Sequence, residues 1–149
     1  IMSINAVKGE EIGTGFAAAN LRGSQVHDII QDTTGEKTRR WQHATNRAGG
    51  IDGGMSNGED IVVRAAVKPI PTLAKPLPSV DLRTGEKVQA HYERSDICVV
   101  PAAGVIGEAM LAIGKIEGIL EKFGGDHLKE TLRNYHGYLN SIASRGLEE

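Results

Sequence analysis

The sequence predicts an α+β fold in which an antiparallel sheet packs on helices. Short stretches of alternating or β-branched apolar residues are spread over the first two thirds of the chain, whereas the last third repeats its apolar residues at helical spacing. The pattern does not alternate strand and helix as βαβ units would. Strands followed by two long helices therefore favour the α+β class over a parallel α/β sheet.

Two strands are expected on either side of a long irregular stretch. Residues 1–12 alternate weakly, and IVVRAAVK at 61–68 is rich in β-branched valine. Because side chains alternate along a strand, Arg64 and Lys68 are expected on one face, where Arg64 could reinforce the charge of Lys68. Residues 32–60 show no sustained period and are rich in Gly, Thr, Asn, Asp and Arg, which predicts a long loop.

Further short elements flank these strands. Residues 14–31 contain apolar residues at spacings of three and four, which predicts a short helical piece. The stretch KPIPTLAKPLP carries four prolines, and because proline removes a ladder donor it predicts an extended or irregular segment. SVDL and KVQAHYER predict two more strands, joined by a turn at RTGE.

The last third predicts two helices. Pro101 suits the first turn of a long helix, which is expected to end at Gly124 and Gly125. Asp126 is expected to cap the amino terminus of the next helix. The apolar residues that define the two periods are Ile106, Met110, Ile113, Ile116, Leu120 and Phe123, then Leu128, Leu132, Tyr135, Leu139 and Ile142.

Composition limits the classes of function. The 149 residues suit one domain, residues 1–149, and the net charge of −2 gives no bulk attraction to nucleic acid or membranes. Aromatic residues make up 4% of the chain, which argues against a stacking platform for nucleic acid. Cys98 has no second cysteine to pair with, which favours a reducing compartment. The uncapped apolar opening, Ile1 to Val7, predicts that the chain is a fragment of a longer protein.

The most unusual stretch is GGIDGGMSNG at residues 49–58, with five glycines in ten residues. A phosphate-binding P-loop would need Lys and Ser or Thr after its last glycine, but Glu59 and Asp60 follow instead. GMSNG matches a nucleophile elbow around Ser56, yet the strand before it and the helix after it are missing. The Asn57-Gly58 dipeptide is typical of a hairpin, so turn formation and a ligand-binding role both stay open.

Charged residues provide the other candidates. ERSD at residues 93–96 either forms an ordinary ion pair at a strand end or presents Arg94 as a planar fork for an anion, with Asp96 as a carboxylate. Lys68 is either a solvated strand residue or a positive group directed at a phosphate. A metal site is not expected, because the single cysteine has no partner and the histidines lack the spacing of a zinc helix. His127 and His136 are expected on solvated helix surfaces.

Four stretches in order resemble the carboxyl-terminal part of the chorismate synthase family. They are SINAVKG at 3–9, NRAGGIDGGMSNG at 46–58, IVVRAAVKPIPT at 61–72 and ERSDICVVPAAGVIGE at 93–108. The resemblance implies part of the chorismate synthase fold. It also implies a cytoplasmic, homotetrameric lyase that uses reduced flavin mononucleotide (FMN). That family removes phosphate from 5-enolpyruvylshikimate 3-phosphate by a 1,4-anti elimination, giving chorismate for aromatic amino acid biosynthesis.

The resemblance assigns roles residue by residue. Arg94 would contact flavin and lie near the substrate, and Asp96 would assist proton handling beside the flavin ring. Lys68 is the natural partner for the flavin phosphate. The full set of implied flavin contacts is Asn5, Ala6, Gly53, Lys68, Pro69, Ile70, Pro71, Thr72 and Arg94.

The family's catalytic histidines and several substrate-binding arginines lie in motifs that this sequence does not contain. The chain alone is therefore expected to be inactive and to bind flavin weakly. An alternative is a non-catalytic module that assembles oligomers or binds a phosphate-bearing ligand without turnover. A third hypothesis, a serine hydrolase acting through Ser56, predicts labelling by hydrolase inhibitors, which we do not expect.

Overall fold

The computed structural model of the chain describes residues 1–33, 41–93 and 97–144. Its helices are a 3-10 helix at Gly15–Asn20, the one-turn α1 at Gly23–Val26, α2 at Val100–Phe123 and α3 at Leu128–Ser144. Its strands are β1 Val7–Ile12, β2 Ile30–Asp32, β3 Trp41–His43, β4 Ile51–Asp52, β5 Met55–Ser56, β6 Val63–Val67, β7 Pro78–Val80 and β8 Lys87–Gln89. Strands followed by two long helices confirm the α+β class.

All the strand pairs of the described residues are antiparallel, but they form four separate two-stranded ribbons rather than one sheet. The ribbons are β1–β6, β2–β3, β4–β5 and β7–β8. Three of them join strands that are close in sequence, whereas β1–β6 brings together segments more than fifty residues apart. The long-range ribbon therefore organises the first half of the chain.

The first predicted strand is shorter than its sequence pattern. It begins at Val7, because turn hydrogen bonds hold the residues before it: Ile4 N donates to Ile1 O at 2.9 Å and Val7 N to Ile4 O at 3.1 Å. The pairing with β6 then shifts register between Val7 and Gly9, which leaves Lys8 as the extra residue of a bulge. Bulges increase local twist and redirect the residues beside them.

The predicted long loop at residues 32–60 is wrong in part, because its described residues contain β3 and the β4–β5 hairpin. The hairpin turn is formed by Gly53 and Gly54, with φ of 56° and 80°, and not by Asn57-Gly58. Two successive positive φ values are what a tight type I′ turn requires, and glycine adopts them without steric penalty. The helical piece expected at residues 14–31 is likewise only the 3-10 helix and α1.

The helix ends are partly as predicted. Gly124 ends α2 with φ of 55°, and α3 supplies side chains to the last carbonyls of α2: Thr131 Oγ1 donates to Gly124 O at 2.6 Å. Asp126 does not cap α3, because that helix begins at Leu128 and His127 therefore precedes it. His127 Nδ1 accepts a hydrogen bond from the backbone N–H of Lys129 at 3.1 Å, which satisfies a free donor of the first turn.

Apolar burial is sparse in the described chain. Among those residues Val7, at 8% exposure, is the one buried hydrophobic side chain, and it lies where β1 begins beside the end of β6. The apolar face of α2 remains about half exposed, with Ile106 at 49% and Leu120 at 50% exposure. None of the described helices is both long and apolar enough to cross a membrane.

Candidate functional site

A pocket of about 500 Å³ lies where β1 begins, β6 ends and α2 begins. Its lining is mostly apolar, with Ser3 and Asn5 as polar members. The lining residues are Ser3, Ile4, Asn5, Ala6, Val67, Val99, Ala102, Ala103, Ile106 and Met110. A largely apolar concavity with a few polar groups is typical of a small-molecule site.

Ala6 has unusual backbone geometry at the edge of this pocket. Its φ of 72° is in the left-handed region, and among the described residues it is the one non-glycine residue there. That conformation costs an ordinary residue about 1–2 kcal/mol. The carbonyl of Ala6 accepts a hydrogen bond from Lys68 N at 2.8 Å, which ties the start of β1 to the end of β6. Strained backbone of this kind concentrates at binding sites.

The structure therefore brings three predicted residues together: Asn5, Ala6 and Lys68. Lys68 directly follows β6, and its side chain is exposed. The next four residues, Pro69 to Thr72, have no regular secondary structure, as the proline pattern predicted. Within this segment Ile70 and Thr72 are half-buried, while the two prolines are exposed.

Arg64 does not reinforce Lys68, contrary to the expectation from strand alternation. Its Nε donates to Glu11 Oε1 at 2.6 Å and its Nη2 to Gly13 O at 2.7 Å, at the opposite end of the ribbon. The Arg64 hydrogen bond, followed by one from the backbone N–H of Phe16, lowers the pKa of Glu11. The guanidinium is therefore used within the fold, where it ties β6 to the residues that follow β1.

Gly53 is not one of the residues that line the pocket, and it lies at the tip of the β4–β5 hairpin. The base of that hairpin contacts the far end of the ribbon, because a Cβ at Gly49 would overlap the backbone of Gly13. From Val7 to Ile12 the strand spans roughly 17 Å at about 3.4 Å per residue. Apart from Gly53 and its two chain neighbours, no described atom lies within 4 Å of the Cβ position of Gly53, so its backbone is open to a ligand.

The two predicted catalytic residues, Arg94 and Asp96, lie outside the described residues. In the sequence they stand between β8 and α2, and Val99 and Ala102, at the start of α2, line the pocket. Ser56 is an exposed residue of the two-residue strand β5. It is not on a strand-to-helix turn, so the elbow required for a serine nucleophile is not formed.

Asp28 is a functional candidate that sequence reasoning missed. Its carboxylate accepts hydrogen bonds from Thr45 Oγ1, from Arg47 N at 2.9 Å and from Ala48 N at 2.9 Å. Partial burial raises the pKa of Asp28, but these three donors and the nearby His43 outweigh it and hold the pKa below its usual value. The partners are 17 to 20 residues away, so no local sequence signal marks the interaction.

Asn46 continues this network toward the glycine-rich hairpin. Its Oδ1 accepts from Gly50 N at 2.8 Å, and its Nδ2 donates to Asp60 O at 2.8 Å. The carbonyl of Gly50 in turn accepts from Asn57 N at 3.0 Å. The two chain segments at the base of the hairpin are thereby held by one side chain.

Comparisons with known proteins agree with the sequence resemblance. A family model for chorismate synthase matches residues 1–120. The chorismate synthase of Geobacter sulfurreducens is 56% identical over 147 residues, which cover 95% of this chain and 37% of the relative. That of Frankia casuarinae is 52% identical over 145 residues, covering 97% of this chain and 36% of the relative. The chain thus spans little more than a third of the length of these relatives.

A solved structure agrees with the fold as well. The crystal structure of a chorismate synthase aligns with a TM-score of 0.74 and 43% identity, covering 96% of this chain and 34% of that one. The ribbons and helices described above therefore belong to an arrangement already seen by experiment in a relative.

Proposed function

Because the chain belongs to the chorismate synthase family, we propose that the native polypeptide containing it is an FMN-dependent carbon–oxygen lyase acting on a phosphate ester. The proposed reaction is the 1,4-anti elimination of phosphate from 5-enolpyruvylshikimate 3-phosphate to give chorismate. One C–O bond breaks, one proton leaves the substrate and there is no net redox change. Reduced flavin, when bound, supplies the electron-rich partner for this step.

The observation that supports this proposal is that Asn5 and Ala6 line the pocket and that Lys68 is tied to Ala6 by a backbone hydrogen bond of 2.8 Å. An apolar concavity of about 500 Å³ suits a flat aromatic ring, and the exposed side chain of Lys68, the residue bonded to the pocket residue Ala6, suits a phosphate. The residues present therefore fit a flavin nucleotide. In this proposal Lys68 binds the flavin phosphate as a point charge, and the irregular segment from Pro69 to Thr72 contacts the cofactor.

The remaining roles are proposed on the same basis. Gly53 presents bare backbone to the flavin, since its surroundings are open. Arg94 binds an anionic group of the flavin or substrate through its planar fork. Asp96 holds or moves the proton that the elimination requires, because a carboxylate beside a reduced flavin can exchange protons during turnover.

The assembly and location proposed are those of the family: a cytoplasmic homotetramer that binds neither nucleic acid nor membranes. Residues 1–149 would form the carboxyl-terminal part of its domain. Separated from the rest, these residues would be inactive, because none of the five histidines falls in the family's catalytic context.

The decisive experiment measures phosphate release by the native polypeptide with reduced FMN under anaerobic conditions. We expect release that depends on both flavin and 5-enolpyruvylshikimate 3-phosphate. A Lys68→Gln variant should bind FMN about tenfold more weakly, since a charged contact to phosphate is worth on that order. Lys87→Gln, on the exposed strand β8, is the matched control.

The alternative module, which binds a phosphate-bearing ligand without turnover, predicts a different result. In that case FMN or inorganic phosphate would bind, but no phosphate would be released from the substrate under any flavin condition. That outcome would replace the lyase proposal.

A further inference from the structure

We propose that Asp28 is a positioning residue that orients the β4–β5 hairpin and, through it, Gly53, whose backbone is proposed above to contact flavin. The inference rests on the proposed flavin site, because it assigns a purpose to the placement of this hairpin. Asp28 itself would touch neither flavin nor substrate.

The first step is the contact between Asp28 and the segment that leads into the hairpin. Its two carboxylate oxygens accept one hydroxyl and two backbone N–H groups, from Thr45, Arg47 and Ala48. A carboxylate gives stronger hydrogen bonds than a neutral acceptor, and here one side chain satisfies consecutive backbone donors. Residues 45–48 have no helix or strand of their own, so this acceptor takes the place of a ladder.

The second step runs from this segment to the hairpin base. Asn46 lies inside the segment anchored by Asp28, and its side chain joins Gly50 N to Asp60 O. These two residues flank the hairpin, since the chain enters it at Gly50 and leaves it toward Asp60. Fixing Asn46 therefore fixes the direction in which Ile51–Ser56 projects.

The third step attaches the same segment to the ribbon. Thr14 N donates to Arg47 O at 2.7 Å, and Val62 N donates to Gly49 O at 3.1 Å. Gly13 and Gly49 are both buried, and their backbones are too close to admit a side chain. The hairpin base is thus held from one side by the ribbon and from the other by Asp28. A free hairpin of two residues a strand would have little stability of its own.

The test uses the native polypeptide with Asp28→Asn and Asp28→Ala, and Asp81→Ala as the matched control. Asp81 also accepts backbone N–H groups, from Arg83 at 2.7 Å and Thr84 at 3.2 Å, but in the exposed turn between β7 and β8. We expect the FMN dissociation constant to rise about tenfold in Asp28→Ala and about threefold in Asp28→Asn, because the amide keeps one acceptor oxygen. The control should stay within about twofold.

Two further readouts separate positioning from general loss of structure. At saturating FMN, turnover of Asp28→Asn should return to within about twofold of the unsubstituted protein, because the chemistry itself is untouched. Amide hydrogen exchange without flavin should be faster at residues 45–56 in Asp28→Asn and unchanged in β7–β8. If Asp28→Ala does not fold, the FMN affinity and the hydrogen exchange of Asp28→Asn alone test the proposal.

The possible results are distinguishable. If Asp28→Asn leaves either the FMN dissociation constant or the exchange rate at residues 45–56 unchanged, the positioning role is overturned. This holds even if phosphate release supports the lyase. An equal loss of FMN affinity in Asp81→Ala also overturns it. If the unsubstituted protein releases no phosphate, the proposed function fails, whereas faster exchange in Asp28→Asn would still support the anchoring of the hairpin.

Discussion

Alanine at Gly50 and alanine at Gly53 should destabilise the protein to different extents, although both positions have positive φ. Gly53 has φ of 56° and open space around its Cβ position, so alanine there costs about 1 kcal/mol for the left-handed backbone alone. Gly50 has φ of 78°, and its Cβ would lie 2.5 Å from the carbonyl oxygen of Asp60. Relieving that overlap requires a backbone shift, which adds about 1–3 kcal/mol.

The expected difference between the two variants is therefore about 2 kcal/mol. For a protein of several hundred residues this corresponds to a melting temperature about 2–3 °C lower in Gly50→Ala than in Gly53→Ala. Differential scanning fluorimetry of the native polypeptide measures it directly, with the unsubstituted protein in the same plate.

The FMN dissociation constants of the same two variants give a second comparison. The methyl group of Gly53→Ala would occupy the space proposed for flavin. The FMN dissociation constant of this variant should therefore rise, although its melting temperature falls only a little. Equal melting temperatures for the two variants would refute the packing argument, because both share the same conformational penalty.

Three further predictions address other parts of the molecule. Thr131→Val should lower the free energy of unfolding by about 1–2 kcal/mol, because it removes the buried hydroxyl that donates to Gly124 O; an unchanged melting temperature would contradict this. Because folding lowers the pKa of Asp28, the ionised carboxylate stabilises the folded protein. This stabilisation is complete above the ordinary pKa of about 3.9 and is lost as the pH falls through the lower pKa of the folded state. Asp28→Asn should therefore flatten the pH dependence of melting below about pH 4, and an identical slope in both proteins would speak against it. Asp96→Ala should strongly reduce phosphate release by the native polypeptide with little change in its melting temperature, and full activity in this variant would remove Asp96 from the mechanism.

Local physical chemistry explains which elements the sequence predicted well. The long helices α2 and α3 repeat apolar residues over many turns, and a pair of glycines separates them, so the boundary at Gly124 was predictable. The proline-rich segment after Lys68 was predictable as irregular because proline cannot donate to a ladder. In both cases the determining interaction lies within a few residues.

Predictions failed where the partner is distant in sequence, and also where two nearby candidates compete for one role. Arg64 was expected to act with Lys68, but Glu11 on the facing strand binds it, 53 residues away. Asp126 was expected to cap α3, but the helix begins one residue later than that cap requires, and the ring of His127 takes the role. The Asn57-Gly58 dipeptide is typical of a hairpin turn, whereas strand register places the turn at Gly53-Gly54.

The sequence by itself determined the fold class through its periodicity and the family through its ordered motifs, because both are properties of the chain alone; the family resemblance then named the residues proposed to bind flavin. Only the tertiary structure decided which of those residues meet. Antiparallel pairing of β1 with β6 brings Asn5 and Ala6 to Lys68 and carries Arg64 to Glu11 at the other end. Contacts across more than fifty residues depend on strand register and chain packing, and no local pattern encodes them.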